Sequence, residues 1–433
     1  MLYDIFFIIF SLFYLPYFLV SGKWRGFSRQ RFGDFDEKTA SLLKDIGRTR
    51  PIWIHAVSVG EVMATVPLYE EIRKSYPDKK IIISTVTQTG NRIAAEKFKE
   101  ASAIIYLPLD LSPITDKVAG LVNPGTLLIA ETEIWPNFIT SLKKIGAKIA
   151  IFNGRLSPGS FKNYGIVRPL VKGLLQKVDL FLMQSQADAD KVISLGAPQE
   201  TVKVTGNLKY DAELSRAGAK DAASVRRDLC LSGAERLLIA GSTHPGEEEK
   251  ILCCYEILRW LKQRKPESPE IRLLIAPRHT NRAGAVAGLV KAHGLKPRFV
   301  SKLGADGFKE DEVVILDVMG RLAELYAAAD IVFIGGSLIR KGGQNPLEAA
   351  YHSKPVIFGP HMHNFKEIAE NLLSGGAAQK VEGATDELAN AIVNILADES
   401  RQKSMGENAR RVLESNAGAA ARDLALIAPL IKR

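Results

Sequence analysis

From Trp53 onward the chain repeats one pattern, a short and continuously apolar β-branched run followed by a longer stretch of helical character. The runs IWIHAV, IIISTV, AIIYLPL, TLLIAE, KIAIFN and LFLMQS are followed, after a gap, by LLIAGS, LLIAPR, VVILDV, IVFIGGS and PVIFGP. Strands apolar on both faces belong to parallel sheets covered by helices on either side. Their alternation with helices therefore predicts an α/β chain built of βαβ units. The pattern breaks near residues 208–235, where LKYDAELSRAGAKDAASVRRD is polar and holds no strand-like run. At 433 residues the chain exceeds one ordinary core. It reads as two Rossmann-like domains, 35–207 and 230–410, joined by a linker at 208–229, with a C-terminal helix at 411–433 packing back on the first. Two facing domains of this kind make a central cleft, and ligands gather at the C-terminal ends of the strands. The strand-end loops are where chemistry is expected.

The N-terminal MLYDIFFIIFSLFYLPYFLV is apolar apart from Asp4 and is followed by Lys23, Arg25, Arg29 and Arg31. That length just spans the ~30 Å hydrocarbon core of a bilayer. The basic flank would hold everything downstream in the cytoplasm. With no basic residue before the apolar run and no small-residue cleavage site after it, an uncleaved anchor at 1–22 is expected rather than a signal peptide. Pro16 and the aromatics Phe13, Tyr14, Tyr17 and Phe18 fit a monotopic segment as well. A formal charge of +10 calls for an anionic partner. Nucleic acid is not the expected one, because the cations are not interleaved with the aromatics of a single-strand platform. Cys230, Cys253 and Cys254 match neither a disulfide framework nor metal-ligand spacing, which agrees with a reducing compartment.

Ser58-Val59-Gly60-Glu61 follows the strand WIHAV and opens a helix, which Pro67 should kink or restart. Glu61 reads in two ways there: an early-turn acid favoured by the helix dipole, or a general base whose pKa is raised by Val59, Val62 and Met63. ETEIWPNF, Glu131 to Phe138, ends the strand TLLIA and reads equally as a sugar-binding cluster or as a cap plus a core tryptophan. Between Glu133 and Asp179 there is no acid, while Lys143, Lys144, Lys148, Arg155, Lys162, Arg168, Lys172 and Lys177 are present. Beside a membrane anchor such a window suits anionic lipid or a phosphorylated acceptor, with Arg155 and Lys162 of NGRLSPGSFKNY as anion contacts. In the second half, GSTHPGEEE, APRH and GGSLIRKGGQNPLEAA offer helix-opening turns and Arg278 for phosphate. Backbone amides near Asn345-Pro346 would hold the phosphate and Glu348 would accept from ribose hydroxyls. Asp188-Ala189-Asp190 opens a helix and is discounted as a metal pair; His361 and His363 lack partner ligands for zinc.

Taken in order, HAVSVGE, ETEIWPN, NGRLS, GNLKYD, GSTHPGEE, APRH, GGQNPLEAA and GPHMHNF resemble the Kdo (3-deoxy-D-manno-octulosonic acid) transferases of lipopolysaccharide assembly, over nearly the whole chain. The resemblance implies a GT-B fold and inverting transfer of Kdo from CMP-Kdo to a hydroxyl of the lipid A precursor, at the cytoplasmic face of the inner membrane. It implies Glu61 as the general base and Glu131 as a second catalytic acid. Lys209, Ser242, Thr243, Arg278, His279, Gly320, Gly343, Asn345 and Glu348 would bind the donor. Ser58, Gly60, Arg155 and Lys162 would bind the acceptor. No cofactor and no metal is implied. A nucleotide-sugar epimerase of the same fold and a non-catalytic lipopolysaccharide-binding protein are the competing readings.

Overall fold

The computed structural model describes residues 3–5, 7–9, 28–215, 221–231, 235–303, 309 and 311–431. The expected anchor at 1–22 therefore lies for the most part outside the described residues. No helix among the described residues is long and apolar enough to cross a membrane. Asp4 accepts hydrogen bonds from the Ser112 amide and hydroxyl, each at 2.9 Å, and from Asn137 Nδ2 at 2.8 Å.

The chain divides into two compact units, Met1–Ser215 with Asn416–Arg433, and Arg216–Ser415. The first holds a seven-stranded sheet of β1 Ile52–His55, β2 Ile81–Thr85, β3 Ala103–Tyr106, β4 Thr126–Ala130, β5 Lys148–Gly154, β6 Leu180–Met183 and β7 Val202–Val204. Its strand order is β3-β2-β1-β4-β5-β6-β7, with every pair parallel. Alternate residues of each strand enter opposite cores. Trp53, Ile82, Leu127, Ile149 and Phe181 pack on one face, and Ile54, Ile83, Leu128, Ala150 and Leu182 on the other. Burial on both faces is the physical reason the strand signal is a continuous apolar run rather than an alternation.

The second unit repeats the plan with β8 Glu235–Thr243, β9 Glu270–Pro277, β10 Lys296–Phe299, β11 Glu312–Ile315, β12 Ile331–Ile334, β13 Val356–Phe358 and β14 Ala378–Lys380. The order is β10-β11-β9-β8-β12-β13-β14. β7, β10 and β14 are missing from the sequence pattern for a common reason: each lies at a sheet edge and is largely unburied, so no apolar run marks it.

The stretch expected as a linker, 208–229, contains two helices, Leu208–Leu214 in the first unit and Ala222–Asp228 in the second; 216–220 lie outside the described residues. Leu208 and Tyr210 are buried, which a polar average over the segment conceals. The C-terminal region is likewise two helices. Glu399–Ser415 belongs to the second unit, and Ala419–Ile431 packs in the first through Ala419, Ala420, Ile427 and Ile431. Asp211 accepts from the amides of Gly418 and Ala419 at 2.9 and 3.1 Å, and so caps that last helix. The helix does not restart at Pro67. Helix Val59–Ser75 runs through it, because Leu68, Tyr69 and Ile72 beyond the proline are buried against the core.

Candidate active site

In the first unit the strand order reverses between β1 and β4, which is where ligands enter a doubly wound sheet. Glu61 follows β1 and Glu131 follows β4, so the two expected acids flank that point. Ser58 is the N-cap of helix Val59–Ser75 and its hydroxyl donates to Glu61 Oε1 at 2.8 Å, while the Val57 amide donates to Oε2 at 2.8 Å. Glu61 thus does serve the helix terminus, in a variant of the capping box. It is also buried, and burial pushes its carboxyl up to about 7 against the opposing Val57 hydrogen bond, with Glu131 adding to the rise. The two sequence readings of Glu61 are compatible: the cap fixes the carboxylate and the burial tunes it. Gly60, beside it, is exposed. A Cβ there would meet only Ser58 Oγ at 3.8 Å.

Glu131 adopts a left-handed backbone, φ 55°, which turns its side chain toward two cations. Arg155 Nε donates to Glu131 Oε2 at 2.9 Å, and Lys209 Nζ lies 4.0 Å from Oε1. Arg155, expected as an anion contact, is thus engaged by Glu131. Lys209, expected beside the donor residues, stands in the first unit with the acids. Burial, followed by the charge of Glu131, raises the Glu133 pKa. Trp135 packs against the hydrophobic core, which favours the core reading of that aromatic over a sugar platform. His55 is fully buried, with Nδ1 2.9 Å from the Ser84 hydroxyl, and burial lowers it to about 4, so it is neutral at physiological pH.

Of the acid-free window, Lys143 and Lys148 pair with Asp179, Lys144 pairs with Asp116, and Lys177 donates to Thr140. Lys162, Arg168 and Lys172 remain exposed on helices Pro158–Ile166 and Arg168–Leu175. Among them stand Ile166, 75% exposed, and Leu170, 73% exposed, with Val167 between. Asp188 is used inside the unit, accepting from the Leu156 amide and the Ser185 hydroxyl.

The second unit reverses its strand order between β8 and β12. Ser242 and Thr243 close β8 there, Ser242 with φ 56°. Gly335, after β12, lies so close that a Cβ would overlap the Ser242 carbonyl. The Arg278 amide donates to the Thr243 carbonyl at 2.9 Å, which brings the APRH loop alongside. Thr243 Oγ1 donates to Glu248, which is fully buried and paired with Arg282 at 2.7 Å.

Glu247 is the residue that the sequence reading missed. Fully buried, it accepts from the amides of His244 (3.0 Å), Gly336 (2.6 Å) and Leu338 (2.9 Å), locking the Gly-Gly-Ser turn to the Gly-Ser-Thr-His turn. Three consecutive acids behind a Gly-Ser-Thr turn were the available signal. His244 sits 3.2 Å from Gln344 Nε2, and its pKa is lowered by burial and then by the neighbouring His279 and Lys341, with Arg278 contributing. His244 and His279 thus stand together, ring centroids 6.4 Å apart, with Arg278 and Lys341 close enough to supply positive charge for a phosphate. Gly343 donates to the Gly336 carbonyl at 2.9 Å, and a Cβ on it would overlap Met362. Asn345 Oδ1 accepts from the Leu347 amide at 3.1 Å, opening the short helix Leu347–Tyr351 that carries Glu348. Gly320, φ 82°, is exposed in a turn after β11 with nothing within 4 Å of a would-be Cβ.

A family model described as 3-Deoxy-D-manno-octulosonic-acid transferase (kdotransferase) matches residues 28–212, and one described as Glycosyl transferases group 1 matches residues 280–412. The chain is 34% identical over 384 residues to a 3-deoxy-D-manno-octulosonic acid transferase of Haemophilus influenzae, covering 88% of this chain and 87% of that protein. To the protein of that description from Chlamydophila psittaci it is 33% identical over 384 residues, covering 87% and 84%. Among solved structures, UDP-GlcNAc 2-epimerase from Neisseria meningitidis bound to UDP-GlcNAc aligns with a TM-score of 0.61 at 14% identity, covering 88% of this chain and 100% of that one. That likeness is one of fold, and with the two parallel-sheet units it identifies the GT-B architecture.

Proposed function

The chain belongs to the 3-deoxy-D-manno-octulosonic acid (Kdo) transferase family, and from that membership we propose that it moves Kdo from CMP-Kdo to a hydroxyl of the lipid A precursor with inversion at the anomeric carbon. It is a glycosyltransferase that transfers Kdo in lipopolysaccharide biosynthesis; donor, acceptor and stereochemistry are the proposal. Glu61 carries it. A carboxylate held by the Val57 amide and Ser58 hydroxyl, with burial lifting its pKa to about 7, is poised to accept a proton near neutrality.

The acceptor oxygen attacks the anomeric carbon and gives its proton to Glu61. The bond from that carbon to the phosphate oxygen breaks, and CMP leaves as a phosphate monoester. Charge grows on the phosphate during that cleavage. The group of Arg278, His279, His244 and Lys341, with the backbone of the Ser242–Thr243 and Gly335–Gly336 turns, supports its stabilisation without a metal. Glu131 acts on the acceptor side by holding Arg155 and Lys209.

The acceptor is an anionic amphiphile. Exposed Ile166, Val167 and Leu170 among Lys162, Arg168 and Lys172 support its presentation from a lipid surface, and the apolar N-terminal sequence supports the cytoplasmic face of the inner membrane. The test is incubation of detergent-solubilised protein with CMP-Kdo and tetraacylated lipid A precursor in EDTA, followed by mass spectrometry of the lipid. A gain of one or more Kdo masses is expected. An unchanged lipid with CMP-Kdo intact, and no gain on adding magnesium, overturns the assignment of this donor and acceptor.

A further inference from the structure

The second unit gathers three metal-ligand side chains away from the residues assigned to transfer. Cys253 and Glu256 lie three positions apart on helix Glu248–Arg264, hence on one face of it. His293, directly after helix Ala283–Ala292, meets them from the neighbouring element, with Nδ1 2.8 Å from Glu256 Oε1. One ligand atom from each, sulfur, oxygen and nitrogen, lies within 4.8 Å of the other two. The adjacent Cys254 points the other way: it is fully buried in the core, and burial pushes its thiol up to about 12. Cys253 is half-buried and the Glu256 side chain is 47% exposed, so the cluster is open to solvent on one side. The sequence spacing of the cysteines points to no metal because the third ligand comes from the turn that ends the helix of the next βαβ unit.

We propose that Cys253, Glu256 and His293 bind a thiophilic divalent transition metal of the zinc class. Thiolate, imidazole and carboxylate are the donor set of tetrahedral zinc sites with one open position. Binding would displace the thiol proton of Cys253, and the ion would then bond its sulfur, a Glu256 oxygen and the His293 nitrogen.

The helix rise places Cys253 and Glu256 roughly 8–12 Å along the helix from Glu248, so this ion is not one for the reacting groups. Its effect is mechanical. Helices Glu248–Arg264 and Ala283–Ala292 follow the Gly-Ser-Thr-His and Ala-Pro-Arg-His loops, and their inner ends are already joined by Arg282 and Glu248. The metal adds a second tie, from the middle of the first helix to the outer end of the second, bracing the two loops against each other.

The probe is cobalt(II), titrated into the reduced full-length protein after EDTA treatment and buffer exchange. A thiolate-to-cobalt charge-transfer band saturating at one equivalent, displaced by zinc(II), is expected. Cys253→Ser should abolish it, His293→Ala should weaken cobalt binding by at least about tenfold, and Cys230→Ser should leave it intact. No band in the wild-type chain, or a band that survives Cys253→Ser, overturns the proposal. Should a variant fail to fold, alkylation of the wild-type protein decides: zinc(II) should protect Cys253, and an unchanged alkylation rate at saturating zinc overturns it equally.

Discussion

Glu247 accepts the amide hydrogen of Gly336 at 2.6 Å, although the two residues are 89 positions apart in the chain. With Leu338 and His244 donating to the same carboxylate, one buried side chain replaces the missing partners of two turns. Glu247→Gln puts an amide group against backbone donors and leaves one of them unsatisfied, a cost of about 1–3 kcal/mol. The expected outcome is a lower melting temperature and a raised donor KM, read by thermal unfolding and steady-state kinetics.

Glu61→Gln removes the proton acceptor while preserving shape. Transfer should fall by about 10²–10⁴-fold, with CMP affinity, measured by calorimetry, changing little. Because the carboxylate form is the active one and its pKa stands near 7, the wild-type rate should climb through about pH 6–8 with its midpoint near 7, and the variant should lack that inflection. Equal loss of transfer and CMP binding would assign Glu61 a purely structural role.

Gly60→Ala tests why a glycine precedes the base. The position is helical and roomy, so the methyl group should leave stability unchanged or raise it by about 0.4–1 kcal/mol. Transfer should nevertheless drop, because the methyl occupies space beside Glu61 that an approaching acceptor needs. A variant as active as wild type would remove Gly60 from the acceptor residues.

Ile166→Asp combined with Leu170→Asp places two charges on the most exposed apolar surface of helices Pro158–Ile166 and Arg168–Leu175. Flotation with anionic-lipid vesicles should show weaker association and steady-state kinetics a higher KM for the lipid acceptor, with unchanged thermal unfolding. Vesicle binding equal to wild type would detach this surface from the membrane.

Asp423, fully buried in helix Ala419–Ile431, has neither carboxylate oxygen hydrogen-bonded. Burial is the main cause that lifts its pKa to about 7; Thr205 opposes, Asp211 adds to the rise, and Arg422 opposes. A carboxyl whose folded pKa exceeds its unfolded value stabilises fully below about pH 4 and loses that contribution as pH rises to about 7. Glu61 works in the same direction over the same window. Denaturant titrations should show stability falling across it and Asp423→Asn flattening the fall. An identical pH slope in the variant would refute the assignment.

The legible parts of the sequence are those with local causes. Ile54 and Trp53 are adjacent and enter opposite cores, so β1 is written as a continuous apolar run, and the same holds for the other central strands. Ser58 and Glu61 are three residues apart, which suffices to write a helix start. The edge strands β7, β10 and β14 are illegible because they are paired on one side only and few of their residues are buried.

By itself, then, the sequence determined two parallel α/β domains, the loops at their strand ends and the family of those loops, since each follows from burial or capping within a few residues. The tertiary structure alone decided that β1 lies beside β4 and β8 beside β12, so that Glu61 faces the charge of Glu131 and Gly335 packs on Ser242. It alone set Lys209 4.0 Å from Glu131, gave Glu247 its turns and brought His293 to Cys253. Strand order and register are set by packing and hydrogen bonding across distant segments, and no local stretch of the chain carries that information.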